Sequence, residues 1–295
     1  MINLLNFLPV YFDKAEMFSK YNIFIIAIAI FWLVIASVQD FKRREVENWW
    51  NFSLIAIILA FRAFVSAVEW NIWYFAWGLI GLLAGFIVMN LFYYARMFGG
   101  GDAKMLMALG VVLPLSLEWI VNLEILILFL FIFLVAGALY GACYSLVVML
   151  GNFRAFLKEF LKIFKKYRKI LFLVEIVGVL GFIFSFAYKF DIGSYLMALV
   201  FASPWLLVWA KAIEESCMKR FVSAVDLTVG DWLADTLTIG KKKITPNWEG
   251  LSESELSLIQ KKYKRKVLIK YGAPFIPAFL ITLLALILGI YFGAF

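Results

Sequence analysis

The sequence predicts an all-α polytopic membrane protein of about eight transmembrane helices with a small mixed cytoplasmic module. Three observations carry that reading. Of 295 residues, 65% are hydrophobic and only 16% charged, against about 25% charged in a soluble domain. Apolar runs near the ~20 residues needed to cross a bilayer recur along the chain. The Lys and Arg residues fall almost entirely in alternate connections between those runs.

Taken in order, residues 1–12 are apolar but too short to span, and no basic segment precedes them, so an interfacial anchor is expected rather than a cleaved leader. The first span covers about residues 22–38 and ends in Gln39-Asp40-Phe41-Lys42-Arg43-Arg44. The second covers 49–68 and holds Arg62, expected to snorkel or to find an ion partner. The third covers 72–93. After Gly99-Gly100-Gly101-Asp102 a shorter apolar piece, 103–117, contains Pro114, and its shortness predicts a glycine loop that dips below the membrane surface. A fifth span lies within 125–150, and a basic amphipathic stretch covers 151–169. Two further spans cover 170–188 and 195–210, and a last one 274–292. Gly81-x-x-x-Gly85 and Gly137-x-x-x-Gly141 fit close helix packing.

With Asp40 placed inside, 24 of the 28 Lys and Arg residues fall on the cytoplasmic side. This predicts a multi-pass protein of the plasma membrane with its N-terminus outside. The expected organisation is an extracytoplasmic segment 1–21, a membrane core 22–150 and a basic loop with an additional hairpin 151–210. A cytoplasmic module 211–271 and a final helix 272–295 follow. Within the module, Val, Leu, Thr and Trp with Gly230 and Gly240 suggest short strands, and Ser252 with Glu255 fits a capping box before a helix.

The chain has no histidine. That removes Ser-His-Asp and Cys-His nucleophiles, histidine-ligated zinc and the H-E-x-x-H helix. Neither Cys143 nor Cys217 sits in a metal-ligand spacing, so no metal and no cofactor is expected. Acidic residues at membrane depth remain. Asp40 closes the first span and Asp102 opens the fourth, on the same expected side. Two carboxyls that meet there share one proton, since neighbouring like charges cannot both ionise. One then activates water and the other protonates the scissile group. Each aspartate alone also fits a plainer role, in an ion pair with Lys42, Arg43 or Arg44, or as a helix cap. Gly99, Gly100 and Gly101 offer backbone freedom and close approach, suited to an extended substrate segment.

Gly99-x-Gly101-Asp102, with an earlier aspartate at the cytoplasmic end of a span, resembles the GxGD intramembrane aspartyl proteases. The detail is closest to the prepilin peptidase branch and its archaeal preflagellin and prepilin peptidases. Asp40-Phe-Lys-Arg-Arg-Glu45-Val-Glu47-Asn48 looks like that family's stretch after its first catalytic aspartate, and Gly101-Asp102-Ala-Lys104-Met-Leu106 looks like the second. Residues 272–279 resemble the start of its last helix, and Gly230-Asp231-Trp232-Leu233 a feature of longer archaeal members. The resemblance implies catalytic Asp40 and Asp102 on a six-helix core, here with an extra pair of spans. It implies an active-site loop of Gly99, Gly100 and Gly101, with Glu45, Glu47, Asn48 and Lys104 as substrate-binding or supporting residues. It also implies removal of short basic leaders from type IV pilin or archaellin precursors at the cytoplasmic face. The cysteine clusters of many bacterial members are absent, so their N-methylation is not expected. Rhomboid and site-2 proteases, which need histidine, are excluded.

The basic stretch 154–169 adjoins spans, so attraction to anionic lipids accounts for it better than nucleic acid. No phosphate-binding loop is present. Two other readings stay open at this level. One is an ion-coupled transporter using its intramembrane acids, against which no inverted repeat is visible. The other is a non-catalytic pilus assembly protein. Oligomeric state is not legible.

Overall fold

The structure is a computed structural model that describes residues 12–44, 46–95, 97–189, 191–240 and 242–294. The interfacial anchor expected over residues 1–12 therefore lies almost wholly outside the described residues. In chain order the helices are α1 (Lys14–Met17), α2 (Lys20–Arg43), α3 (Asn48–Val68), α4 (Trp73–Tyr94), α5 (Gly100–Val112), α6 (Trp119–Gly151), α7 (Phe153–Ala187) and α8 (Asp191–Cys217). Strands β1 (Lys219–Val222), β2 (Trp232–Leu233), β3 (Leu237–Ile239) and β4 (Lys242–Ile244) follow, then α9 (Glu253–Lys262), β5 (Val267–Lys270) and α10 (Ile276–Phe292). Each of the eight apolar segments forms a helix. Six of them, all but α5 and α10, are long and apolar enough to cross a membrane. The protein is thus an all-α polytopic membrane protein with a small strand-containing module. Large apolar side chains such as Phe31, Leu83, Phe131 and Leu180 stand exposed on the spanning helices, as a lipid-facing surface requires.

The chain divides into two compact units. The first comprises Met1–Gly141 and Ala273–Phe295. Its core takes one face of α2, α3, α6 and α10 around α5, which is buried on all sides from Met105 to Val112, with Leu33, Leu54, Met105, Ile125 and Phe279 fully buried. Ser19 begins α2 by accepting the Asn22 N–H, and Arg44 ends it in the left-handed region at φ 60°. The α2–α3 hairpin is fastened by stacked Trp32 and Trp50, 4.7 Å between ring centroids. Each indole N–H donates to the other residue's carbonyl, at 3.1 and 3.2 Å. Helices α4 and α5 touch backbone to backbone: a Cβ on Gly81 would stand 2.2 Å from the Gly110 carbonyl oxygen, and one on Gly85 2.9 Å from that of Met107. The Gly81-x-x-x-Gly85 expectation is met in this way. Of the other pair, Gly137 faces the Phe275 ring, whereas Gly141 has nothing within 4 Å.

Three boundaries differ from the sequence reading. Helix α5 stops at Val112 rather than near Leu117, because Pro114 cannot continue the ladder and residues 113–118 are irregular. The basic stretch and the sixth span are one helix, α7, of 35 residues. Helix α8 runs to Cys217, past the expected end at 210, and carries Pro204 inside it.

The second unit, Ala142–Gly272, pairs α7 with α8. Gly178 packs against the Phe201 backbone and Gly181 against Met197. Farther along, Phe164 stacks on Trp205, and Phe156 and Ile163 are buried with Ala212 and Ile213. The module contains a three-stranded antiparallel sheet in the order β1-β5-β2 and a separate β3–β4 hairpin. Val267, Ile269, Leu233 and Ile259 form its core. Gly250, at φ +80°, lies where a Cβ would strike the Gly230 carbonyl. The expected capping box at Ser252 and Glu255 is present.

Two predictions follow from this packing. Gly110→Val should drive α4 and α5 apart and lower the thermal unfolding midpoint in detergent, at a cost of about 1–3 kcal/mol or more. Gly100→Ala, where a Cβ meets open space, should leave that midpoint in place. Ser252→Ala should cost about 1 kcal/mol locally, read as faster hydrogen–deuterium exchange over residues 252–256. The Ser252 N–H holds the Glu255 carboxyl below the usual range. This part of the cap's stability is present above the unfolded carboxylate pKa and is lost as pH falls through the lower folded value.

Candidate active site

Asp40 stands in the last turn of α2, only 5% exposed. Its Oδ2 accepts the Ile276 N–H at 2.9 Å. This is the first amide of α10, which a helix N-terminus otherwise leaves without a partner. Pro277, at the start of α10, removes one further donor. Arg44 places a positive charge where it acts on Asp40.

Asp102 lies in the first turn of α5 and is half-buried. A Cβ on Gly99 would stand 3.8 Å from the Asp102 Oδ2, so the carboxyl lies over its own helix start. Asp102 is within electrostatic reach of Asp40. Asp40 thus stands against the start of α10, and Asp102 within the start of α5.

Of the two features expected of the glycine run, unusual backbone angles and open backbone, the structure shows the second. None of Gly99, Gly100 and Gly101 has positive φ, and Gly99 itself is extended at φ −71°, ψ 164°. A Cβ on Gly100 would meet nothing within 4 Å. The run leaves its backbone uncovered rather than bending it in a way only glycine allows. A Cβ on Gly101 would stand 3.9 Å from the amide of Val46, itself 3% exposed, so the link after α2 passes beside the loop. Phe98, just before the run, packs on Phe275, Phe279 and Phe133 at 5.6–6.1 Å between centroids. One aromatic cluster thus anchors both the Asp102 loop and the α10 start that holds Asp40.

The other named residues divide. Lys104 Nζ donates to Asn48 Oδ1 at 2.6 Å, joining α5 to the start of α3 beside the loop. Glu47 turns to the surface, where it pairs with Arg43 at 2.6 Å and accepts the Trp49 indole N–H. Glu45 lies outside the described residues. Sequence reasoning missed Asn51, which is fully buried one turn beyond Asn48 on the same face of α3. Its Nδ2 donates to the Gly101 carbonyl at 3.5 Å, and its Oδ1 has no partner among the described residues. An asparagine on the buried face of an apolar helix was the available signal. The chemistry open to this arrangement is proton exchange between two carboxyls beside exposed backbone. Among the described residues no group of three or more Cys, Asp or Glu is placed to hold a metal.

Residues 27–142 match the type IV leader peptidase family. A preflagellin peptidase of Methanococcus maripaludis is 34% identical over 87 residues, which are 28% of this chain and 35% of that protein. That of Methanocaldococcus jannaschii is 30% identical over 82 residues, 28% of this chain and 35% of that protein. That of Methanococcus voltae is 33% identical over 90 residues, 30% and 37% of the two chains. The similarity thus spans little more than a third of the length of these relatives. No solved structure matches. Residues 27–142, the stretch that carries Asp40, the glycine run and Asp102, are thus similar to the type IV leader peptidase family.

Proposed function

We propose that the chain is an intramembrane aspartyl endopeptidase that removes the short basic leader from type IV pilin-like or archaellin precursors at the cytoplasmic face of the plasma membrane. The observation that supports this reading is that Asp40 and Asp102 act on one another electrostatically, with the uncovered glycine backbone beside Asp102. In the reaction, one carboxylate takes a proton from water, and the hydroxide equivalent adds to the scissile carbonyl carbon. The other carboxyl gives its proton to the carbonyl oxygen, forming a neutral gem-diol. A proton then passes to the amide nitrogen, the C–N bond breaks, and an acid and an amine leave. The two aspartates titrate as a pair, and the acid and base roles belong to the pair. No metal enters.

Glu47, half-exposed and shared with Arg43, and Glu45 two residues before it are the carboxylates near Asp40 that a basic leader meets, competing there with Arg43. The precursor's apolar segment stays in the lipid and becomes the mature N-terminal helix. Extended substrate backbone lies along residues 99–101, with Asn48 and Lys104 supporting the loop from α3 and α5. The N-terminus is outside, and the basic first half of α7 faces anionic lipid headgroups.

The test is cleavage of a pilin precursor by the full chain in liposomes, with products identified by mass. Asp40→Asn and Asp102→Asn should each lower kcat by about 10²–10⁴-fold while insertion and thermal midpoint persist. Wild-type turnover by a folded Asp102→Asn protein would sink the mechanism. Asn51→Ala removes the side-chain bond to Gly101 and should lower kcat about fivefold, the equivalent of a bond worth about 1 kcal/mol, in the same assay.

A further inference from the structure

Arg62 is 4% exposed in the middle of an apolar helix, and the structure assigns it neither of the roles its sequence position suggests. It does not snorkel, and no ion pair with a carboxylate involves it among the described residues. Its partners are carbonyl oxygens. Nε donates to Val111 at 3.1 Å, Nη2 to Val112 at 3.4 Å and to Pro114, and Nη1 to Tyr74 at 3.4 Å. Of those four carbonyls, Val111 and Val112 lie in the last turn of α5 and Pro114 two residues past its end.

Helix α5 has 13 residues and is about 20 Å long, shorter than the ~30 Å hydrocarbon layer. Its C-terminal carbonyls end where water is scarce, and irregular backbone at such depth persists only when the protein supplies partners. Arg62 supplies them, with its positive charge at the negative end of the α5 dipole. A cavity of about 200 Å³, lined also by Glu16, Asn22 and Trp77, adjoins the guanidinium. The irregular segment that follows is fixed in turn. Asn22 Nδ2 donates to Leu115 at 2.7 Å, Trp77 Nε1 to Leu117 at 3.0 Å, and Glu16 accepts the Leu117 N–H at 2.8 Å.

Asp102 stands in the first turn of this same helix, and no proline interrupts α5 between it and the Arg62 clamp. A shift of the clamped end along the axis is therefore a shift of Asp102. A displacement of about 1 Å at a reacting group can cost about 10²-fold in rate. We propose that Arg62 is a positioning residue, which sets the height at which Asp102 stands against Asp40 by holding the carbonyls at the opposite end of α5. This rests on the peptidase reading and deepens it.

The experiment compares wild type, Arg62→Lys and Arg62→Met full chains in liposomes, reading kcat and KM for precursor cleavage alongside the thermal midpoint. Arg62→Met should lose at least tenfold in kcat with KM within twofold, because the substrate contacts are remote from Arg62. Arg62→Lys, which keeps a cation and three donors, should recover much of that kcat. A folded Arg62→Met enzyme with wild-type kcat would overturn the inference alone. If Arg62→Met does not fold, Arg62→Gln, which loses the cation and most of the donors, decides: a folded protein with kcat reduced at constant KM supports positioning, and wild-type kcat overturns it. Failure of the wild type to cleave any precursor would overturn the peptidase reading and this inference together.

Discussion

A helix that begins or ends inside an apolar layer must find partners for its free amides and carbonyls. In the first unit that constraint is met by side chains with other work to do. Asp40 accepts the first N–H of α10, and Arg62 donates to the last carbonyls of α5. Neither helix is long by membrane standards, at 17 and 13 residues, so both have an end that cannot be left to the interface. The aspartate pair is therefore a consequence of how two short helices are terminated, and its geometry inherits the rigidity of those terminations.

Helix α5 is the element on which these terminations converge. It is held along one side by glycines of α4 that let the two backbones touch, at its far end by Arg62, and at its near end by Asn51 and the Lys104–Asn48 bond. The aromatic cluster of Phe98, Phe133, Phe275 and Phe279 then ties the approach to α5 to the start of α10. Packing of this density at the ends leaves little freedom for Asp102 to drift, and it leaves the glycine run as the open part of the site. Rigid walls and an uncovered backbone are what a site needs when its substrate arrives as an extended chain.

Most of this architecture was legible because apolar length and charge sorting are one-dimensional signals. The eight apolar segments, the module, and the Ser252–Glu255 cap each depend on neighbours in sequence. Asp40 and Asp102 were legible for a different reason: a carboxylate at a span end is costly, and the shared expected depth of two of them narrows the explanations. Arg62 was misread because its partners lie far along the chain at Val111, Val112 and Pro114, and a buried arginine looks the same in sequence whether it meets carboxylates or carbonyls. The α7 boundary was misread because a helix that leaves the apolar layer changes composition without changing conformation. The glycine run was misread in its cause: residues that permit unusual φ were present, but openness rather than φ is what they provide. Gly81 was legible through its spacing with Gly85, whereas its partner Gly110 lies in another helix and has no such spacing to mark it.

The absence of histidine gains a structural meaning from these terminations. In a histidine-based site, a third side chain orients the imidazole and fixes which nitrogen carries the proton. Here the backbone does the orienting. Ile276 fixes the Asp40 carboxylate from the start of α10. The carboxylate keeps further lone pairs for water or substrate, since it offers about four acceptor positions. A backbone amide cannot titrate, so in the proposed reaction the orientation it imposes on Asp40 does not change as a proton moves between the two acids. Asparagine at position 40 retains a carbonyl oxygen for the same backbone donor while losing the ability to exchange a proton. That separation of anchoring from chemistry is why substitution by asparagine, rather than by alanine, isolates the acid–base step from the integrity of the helix ends.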